Sequence, residues 1–164
     1  MKTPLLILCL LIAGITQAQL KTSSQNSCAP FTVDLLNGKL NGVEPDFTAP
    51  EIKKLLPCFT SEEKEDTSSR CGGVIAFKDK DVYFYTGRNY VEIREKFNGK
   101  LSIPLMGAAR GSLFKHLGHP LMKDTNWEAY QTSYGILIVY YNKVNKINKI
   151  QFSTEGATTI NLCE

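Results

Sequence analysis

Residues 74–97 read VIAFKDKDVYFYTGRNYVEIREKF, and this stretch indicates the fold class of the chain. It contains three short runs rich in β-branched and aromatic residues, separated by KDKD and by TGRN. Such runs, interrupted by turn residues, are typical of consecutive antiparallel strands. The predicted strands are Val74 to Phe77, Val82 to Tyr85 and Tyr90 to Phe97.

The middle run also predicts which side chains face the core. Successive side chains of a strand point to opposite faces. Val82 and Phe84 therefore share one face, and Val and Phe are the better core residues. Tyr83 and Tyr85 share the other face and are expected to point outward. Outward Tyr and Trp are typical of interfaces, although these rings could instead cover the edge of the core.

The second half of the chain offers a similar set of strands. They run from Trp127 to Ser133, from Ile136 to Asn142 and from Lys146 to Thr154. The Asn-Lys pairs near the last two runs also have the spacing of a basic amphipathic helix. Because Asn and β-branched residues are indifferent helix formers, we favour a hairpin. Within it, Tyr140 and Tyr141 are expected to point to opposite faces.

A short helix is predicted before each set of strands. Thr48 is placed to cap the first helix, with Pro50 in its first turn and Glu51 completing a capping box. Ser112 is predicted to cap the second helix, which stops at Gly118. The apolar residues of this second helix, all expected to face inward, are Leu113, Phe114 and Leu117.

Three short blocks of sequence occur twice at nearly one spacing, which predicts an internal duplication. Shared turn chemistry is the simpler alternative. The predicted fold is α+β, with two tandem units that each hold a short helix followed by an antiparallel β-meander, and whose sheets form a shared or continuous surface. The matching blocks are LNGKL (36–40) with FNGKL (97–101), IKKLLP (52–57) with LFKHLG (113–118), and GVIAF (73–77) with GILIV (135–139).

Residues 1–18 have the pattern of a cleavable secretion signal. Lys2 is followed by an uncharged apolar run to Ile15, and Ala18 offers a small-residue exit site. The run is shorter than the roughly 20 apolar residues of a spanning helix, and Cys9 lies inside it rather than at a lipidation position. We therefore expect an exported protein, periplasmic or extracellular, with no transmembrane segment in its mature chain.

The rest of the chain divides into an N-terminal segment at 19–35 and two predicted units, at 36–96 and 97–164. The charges of the full sequence are nearly balanced, with 19 basic and 16 acidic residues and a formal net charge of +3. No face is obliged to be strongly basic, so nucleic acid is not an expected partner.

Four cysteines remain after the signal, and an even number in an exported chain predicts two disulfides. Cys58 and Cys71 flank a polar loop and are predicted to pair. Cys28 and Cys163 would then join the two chain ends, since domain termini often lie close together. The sequence leaves all three connectivities open. A metal site is the alternative, but no C-x-x-C pair supports it.

The order of motifs in the second half resembles a known superfamily. Leu117-Gly118-His119-Pro120 is followed by Trp127-Glu128-Ala129-Tyr130 and then by two apolar strands. This order resembles the unit of the β-lactamase-inhibitory-protein-like superfamily, which also includes the small lipoprotein of the outer-membrane assembly machinery. The resemblance implies two tandem α+β units with a concave, aromatic-lined sheet face. The chain lacks the lipidation cysteine of that lipoprotein, and no inhibitory loop matches residue by residue.

Motifs of catalysis are largely missing from the sequence. It contains no Gly-x-Ser-x-Gly elbow, no phosphate-binding glycine loop and no His-Glu-x-x-His helix. His116 and His119 could share one side of a helix and supply two metal ligands, but a catalytic metal usually takes three. The acidic cluster from Glu62 to Asp66 is expected to be a solvated face. We predict no catalytic, cofactor-binding or metal-binding residues.

The sequence therefore predicts an exported, non-catalytic binding protein of the inhibitor or immunity type, whose partner is another exported or envelope protein. A structural or assembly factor of the cell envelope is the alternative, and a hydrolase using His116 or paired carboxylates is a third hypothesis. The predicted partner-binding residues are Tyr83, Tyr85, Tyr90, Trp127, Tyr130 and Tyr140.

Overall fold

The computed structural model of the protein describes residues 28–66 and 71–163, so the predicted signal peptide lies outside the described residues. Eleven strands, two short α-helices and one 3-10 helix (Thr86–Arg88) are present in the described part of the chain. In chain order they are β1 (Thr32–Asp34), β2 (Lys39–Leu40), α1 (Ala49–Leu55), β3 (Ser61–Glu63), β4 (Val74–Phe77), β5 (Val82–Tyr85), β6 (Tyr90–Arg94), β7 (Lys100–Leu101), α2 (Phe114–Leu117), β8 (Met122–Lys123), β9 (Trp127–Gln131), β10 (Ile136–Tyr141) and β11 (Ile147–Ser153).

Eight of the strands form one antiparallel sheet, in the order β3-β4-β5-β6-β11-β10-β9-β8. Each run of four consecutive strands is a meander, and the two meanders join where β6 pairs with β11. Ile93 lies opposite Ile150 in this central pair, and Val91 lies opposite Phe152. The prediction of a mixed α+β fold is confirmed, with strands predominating.

A second, three-stranded sheet has the order β2-β1-β7, with β1 antiparallel to β2 and parallel to β7. Its outer strands, Lys39–Leu40 and Lys100–Leu101, are the ends of the two matching Asn-Gly blocks. The third pair of blocks does not fall on matching elements. It pairs β4, the second strand of the first meander, with β10, the third strand of the other.

The core lies between the inner face of the large sheet and a layer that contains the small sheet, α1 and the loop before α2. Phe31 packs edge-on against Phe77, with ring centroids 5.1 Å apart, and so joins the two layers. Val82 and Phe84 are fully buried in this core, as strand alternation predicts. Tyr141 also faces the core, whereas Tyr140 packs on the opposite side of the sheet.

The two helices start differently. α1 has the predicted capping box, because the Glu51 carboxylate accepts hydrogen bonds from the backbone N–H and the Oγ1 of Thr48, at 2.9 and 2.6 Å. These bonds lower the pKa of Glu51. The predicted cap of α2 is wrong, because the Ser112 hydroxyl donates to the carbonyl of Ala109 instead. Phe114 is 60% exposed rather than inward.

The hairpin predicted near Asn142 is confirmed. β10 and β11 are joined by a tight turn in which Asn145 has a φ of 55°. The Asn142 side-chain oxygen accepts hydrogen bonds from the backbone N–H of Val144 and Lys146, at 3.1 and 3.0 Å. Asn tolerates the left-handed conformation and can cap a turn with its side chain, so these residue types favour the turn over a helix.

The predicted disulfide pairing is wrong. Cys28 is bonded to Cys58, with Cα atoms 5.4 Å apart, and Cys71 to Cys163, with Cα atoms 5.3 Å apart. The register of β3 and β4 separates Cys58 from Cys71. Ser61 lies opposite Ala76 and Glu63 opposite Val74, so the cysteine before β3 and the one before β4 lie at opposite ends of this strand pair.

Among the described residues, no helix is long and apolar enough to cross a membrane.

We predict that removing Cys71–Cys163 destabilises the protein more than removing Cys28–Cys58. The chain-entropy model gives roughly 4.6 kcal/mol for a sequence separation of 92 and roughly 3.6 kcal/mol for one of 30. The measurement is the free energy of unfolding of the Cys71→Ala/Cys163→Ala and Cys28→Ala/Cys58→Ala variants in urea. Non-reducing tryptic mapping checks the connectivity, because the four cysteines fall on four different peptides. A Cys58–Cys71 peptide would contradict it.

Candidate functional site

The face of the eight-stranded sheet that points away from the core carries the candidate site, and we call it the outer face. Four side chains form a row across four neighbouring strands of this face, β9, β10, β11 and β6. Trp127 lies opposite Tyr140, Tyr140 opposite Lys149, and Lys149 opposite Arg94. Since strands are about 4.8 Å apart, the row spans about 14 Å. We call these four residues the outer row.

Cations and aromatic rings are paired along this row. The Lys149 ammonium lies 3.8 Å from the centroid of the Tyr140 ring. The Arg94 guanidinium lies 4.0 Å from the centroid of the Tyr83 ring, in β5. Both distances are well within the range of cation–π attraction. The rings therefore hold the two cations against the sheet while part of each cation remains accessible to solvent.

Beneath the row lies a buried hydrogen-bonded chain. Glu92 is 3% exposed, and its carboxylate accepts hydrogen bonds from Arg94 Nε and, at 2.7 Å, from Gln151 Nε2. Gln151 Oε1 in turn accepts from the Tyr140 hydroxyl at 2.7 Å. Burial lowers the pKa of Arg94, but the hydrogen bond and the charge of Glu92, together with the nearby Tyr85 and Tyr83, outweigh burial, and the net pKa is raised. Arg94 therefore stays charged, and the outer row is held in one geometry.

Residues 154–163, the C-terminal tail, cover the other end of the outer face. The disulfide Cys71–Cys163 fastens this tail, and the backbone N–H of Cys163 donates to the Tyr90 hydroxyl at 3.1 Å. Arg88 Nη1 donates to the carbonyl of Asn161 at 3.1 Å. Burial raises the pKa of Tyr90 far above its ordinary value. The tail is thus fixed at several points.

Between the tail and the sheet lies an apolar cleft with a volume of about 230 Å³. Ile136 and Ile138 of β10 form its floor, and Ile160 of the tail packs against the same small apolar cluster. Trp127 and Tyr140 of the outer row also line it. The cleft and the row are therefore one continuous surface.

Three of the six predicted partner-binding residues are accessible on the outer face. Tyr83, Trp127 and Tyr140 are all half-buried there. Tyr85 faces the same side, but it is buried and stacks on Tyr90 with ring centroids 4.3 Å apart.

The prediction that Tyr90 and Tyr130 bind a partner is wrong, because neither side chain is accessible to one. Tyr90 is 0% exposed because the C-terminal tail covers it. Tyr130 is 2% exposed because it faces the core, the opposite face of β9 from Trp127. An aromatic surplus in the sequence could not distinguish these environments.

A second buried carboxylate, Glu128, lies on the inner side of β9. It accepts hydrogen bonds from the Tyr130 and Tyr141 hydroxyls, at 2.7 and 2.6 Å, and from Arg110 Nε at 2.9 Å. Arg110 also donates to the carbonyl of Thr125 at 2.8 Å. These contacts fasten the loop before α2 to the sheet. Every one of these groups has a hydrogen-bonding partner within the protein.

The two histidines and the acidic loop lie on the surface of the described structure. His116 and His119 are both exposed, and the ring of His119 lies 4.7 Å from that of Phe114. Glu62, from the acidic cluster, forms a salt bridge with Lys53 at 2.8 Å. Within residues 28–66 and 71–163, no group of three or more His, Cys, Asp and Glu side chains could hold a metal ion.

Sequence reasoning missed Arg94, Lys149, Glu92 and Gln151. Strand alternation could have placed them on the outer face, because the residues between them, such as Ile93 and Ile150, are apolar. It could not have brought them together, since that requires β6 to pair with β11 across the 52 residues that lie between the two strands. The cleft could not have been predicted either, because it forms only where the C-terminal tail packs against β10.

No protein-family model matches the chain, and no curated protein or solved structure matches it.

We predict that Glu128→Gln lowers the free energy of unfolding by about 1–3 kcal/mol at neutral pH and flattens its dependence on acid pH. Burial raises the pKa of Glu128, but its three hydrogen bonds outweigh burial and the net pKa is below 4.5. A lowered pKa in the folded state contributes stability above about pH 4.5 that is lost as the pH falls through the lowered value.

Urea unfolding between pH 2.5 and pH 7 measures this difference. The wild type should lose stability on acidification more steeply than Glu128→Gln. The matched control is Glu95→Gln, at an exposed position, which should follow the wild type. Parallel curves for wild type and Glu128→Gln would contradict the prediction.

Proposed function

We propose that this chain is an exported, non-catalytic binding protein that holds another protein on its outer face. The observation that carries the proposal is the outer row, Trp127–Tyr140–Lys149–Arg94, which crosses four strands on the side of the sheet that the main core does not use. Aromatic residues and Arg are the types enriched at the centres of protein interfaces.

The rigidity of the row supports this role. The buried bonds from Tyr140 to Gln151 and from Gln151 to Glu92 fix the aromatic and cationic groups before any partner arrives. A surface that is already ordered pays less conformational entropy on binding. The face also presents aromatic area and accessible positive charge next to each other, which favours a specific partner over general adhesion.

The proposal includes an architecture of two tandem units. The first would contain α1 and β3–β6 and the second α2 and β8–β11, so that the last strand of each unit pairs at the centre of the sheet. The matching blocks that end in Lys39–Leu40 and Lys100–Leu101 support this division, since both flank β1. Together with the resemblance to the β-lactamase-inhibitory-protein-like superfamily, this arrangement favours an inhibitor or immunity-type role.

Export is part of the same proposal. Residues 1–18 have the pattern of a secretion signal, and the two disulfides are compatible with an oxidising compartment. The partner we propose is therefore another exported or envelope protein.

We predict that Trp127→Ala and Lys149→Glu each weaken partner binding at least tenfold. Trp127 supplies aromatic area, and Lys149→Glu places a repelling charge in the row. The purified mature protein, tagged at its N-terminus, is used to capture proteins from a native envelope extract. The dissociation constant of the retained partner is then measured for each variant.

Two variants outside the outer face serve as matched controls. Phe114→Ala removes an exposed aromatic ring from α2, and Lys143→Glu makes the same charge change in the exposed β10–β11 turn. Both should bind as the wild type does. If the controls weaken binding while Trp127→Ala and Lys149→Glu do not, the proposed face is the wrong one.

A further inference from the structure

The apolar cleft beside the outer row is already open in this protein. Its tail side cannot close onto the sheet freely, because the tail is fastened by the Cys71–Cys163 disulfide and by the hydrogen bond from Cys163 to Tyr90. A hydrogen bond from Arg88 to the carbonyl of Asn161 holds the tail at a second position. A cleft whose walls are fixed from both sides offers a pre-organised place for an apolar group.

The volume of the cleft sets the size of what enters it. An enclosed apolar cavity of about 150 Å³ accepts a benzene-sized molecule. The present cleft, at about 230 Å³, has room for one large apolar side chain and not for a drug-sized ligand, whose pockets start at about 300 Å³. A single apolar side chain inserted in a fixed pocket is the typical energetic centre of a protein interface.

The charge beside the cleft determines which kind of charged group the partner can place next to that apolar side chain. Tyr140 lines the cleft, and the Lys149 ammonium lies 3.8 Å from the centroid of the same ring. Arg94 is the next residue of the row. Glu92, which is bonded to both cations, is buried, so the accessible charge next to the cleft is that of Lys149 and Arg94.

We propose that the cleft takes a large apolar side chain of the partner protein, and that Lys149 binds a carboxylate of the same partner segment. In an extended segment, side chains two residues apart point to one side and lie about 7 Å apart. One to two strand spacings, about 5–10 Å, separate the aromatic walls of the cleft from Lys149. The partner motif is therefore an apolar residue and an acidic residue separated by one position.

This inference rests on the proposed function and names the chemistry of its partner. It is tested on the purified protein with capped tripeptides, each made in both sequence orders. Acetyl-Phe-Gly-Glu-amide carries both groups, and the Gln and Lys versions change only the charge. Acetyl-Ala-Gly-Glu-amide removes the apolar side chain. The readout is the emission of Trp127, the single tryptophan of the chain, which lines the cleft.

We expect the Glu peptide to bind about fivefold more tightly than the Gln peptide, and the Lys peptide to be the weakest. The Ala peptide should bind at least tenfold more weakly than the Phe peptide, because it buries too little apolar area. Lys149→Gln should abolish the preference for Glu over Gln, because it removes the charge that binds the carboxylate. Lys143→Gln, at an exposed position outside the row, is its matched control.

A second pair of variants tests the cleft itself. Ala157→Phe fills the cleft from the tail and should remove binding of all Phe peptides, whereas Thr158→Phe, at the exposed neighbouring position, should leave it intact. Equal affinities for the three charge versions, or binding that survives Ala157→Phe, would overturn the inference. A Trp127 emission that shifts with protein concentration alone would assign the cleft to a second copy of the chain and overturn it also.

The two proposals can fail separately. Suppose that Trp127→Ala and Lys149→Glu weaken capture of the partner protein but Ala157→Phe does not. The binding function of the outer row would then stand, and the cleft would be rejected as the place of contact. If the tripeptides bind as expected but capture of the partner is unaffected by Trp127→Ala and Lys149→Glu, the cleft would stand as a binding site for such groups, and the proposed function of the outer row would be rejected.

Discussion

The antiparallel pairing of β6 with β11 is the constraint on which the rest of the structure depends. It joins two four-stranded meanders into one sheet and brings together strands that are distant in the chain. On the inner face it sets Ile93 against Ile150 and so makes the core continuous. On the outer face the same register sets Glu92 against Gln151. One set of backbone hydrogen bonds thus positions both the core and the candidate site.

The charges of the outer face follow from that pairing. A buried carboxylate such as Glu92 is tolerated in a sheet only when its oxygens are hydrogen-bonded. Arg94 supplies one bond from its own strand, and Gln151 supplies the other from the neighbouring strand. The cation–π contacts with Tyr83 and Tyr140 hold Arg94 and Lys149 against the sheet, and these two residues carry the accessible positive charge of the row. The C-terminal tail then completes the surface and leaves the apolar cleft beside it.

Local patterns in the sequence predict local structure well here. The runs Val74–Phe77 and Val82–Tyr85 are strands with the predicted bounds, and the alternation of Val82 and Phe84 gives the correct inner face. The α1 capping box and the β10–β11 hairpin form as expected, since each depends on residues within a few positions of each other. α2 departs from its prediction because its cap and its exposed Phe114 depend on the loop that Arg110 fastens to the sheet.

The sequence by itself therefore determined the α+β class, the longer strands and the presence of two disulfides. The tertiary structure alone decided which cysteines pair, which tyrosines are accessible and which charges meet on the outer face. The physical reason is the range of the interactions. A strand's alternation is set by its own side chains, but the choice of its partner strand is set by the burial of apolar area over the whole chain. Tyr90 and Tyr140 look alike in sequence, and only the path of the tail makes one buried and the other part of a surface.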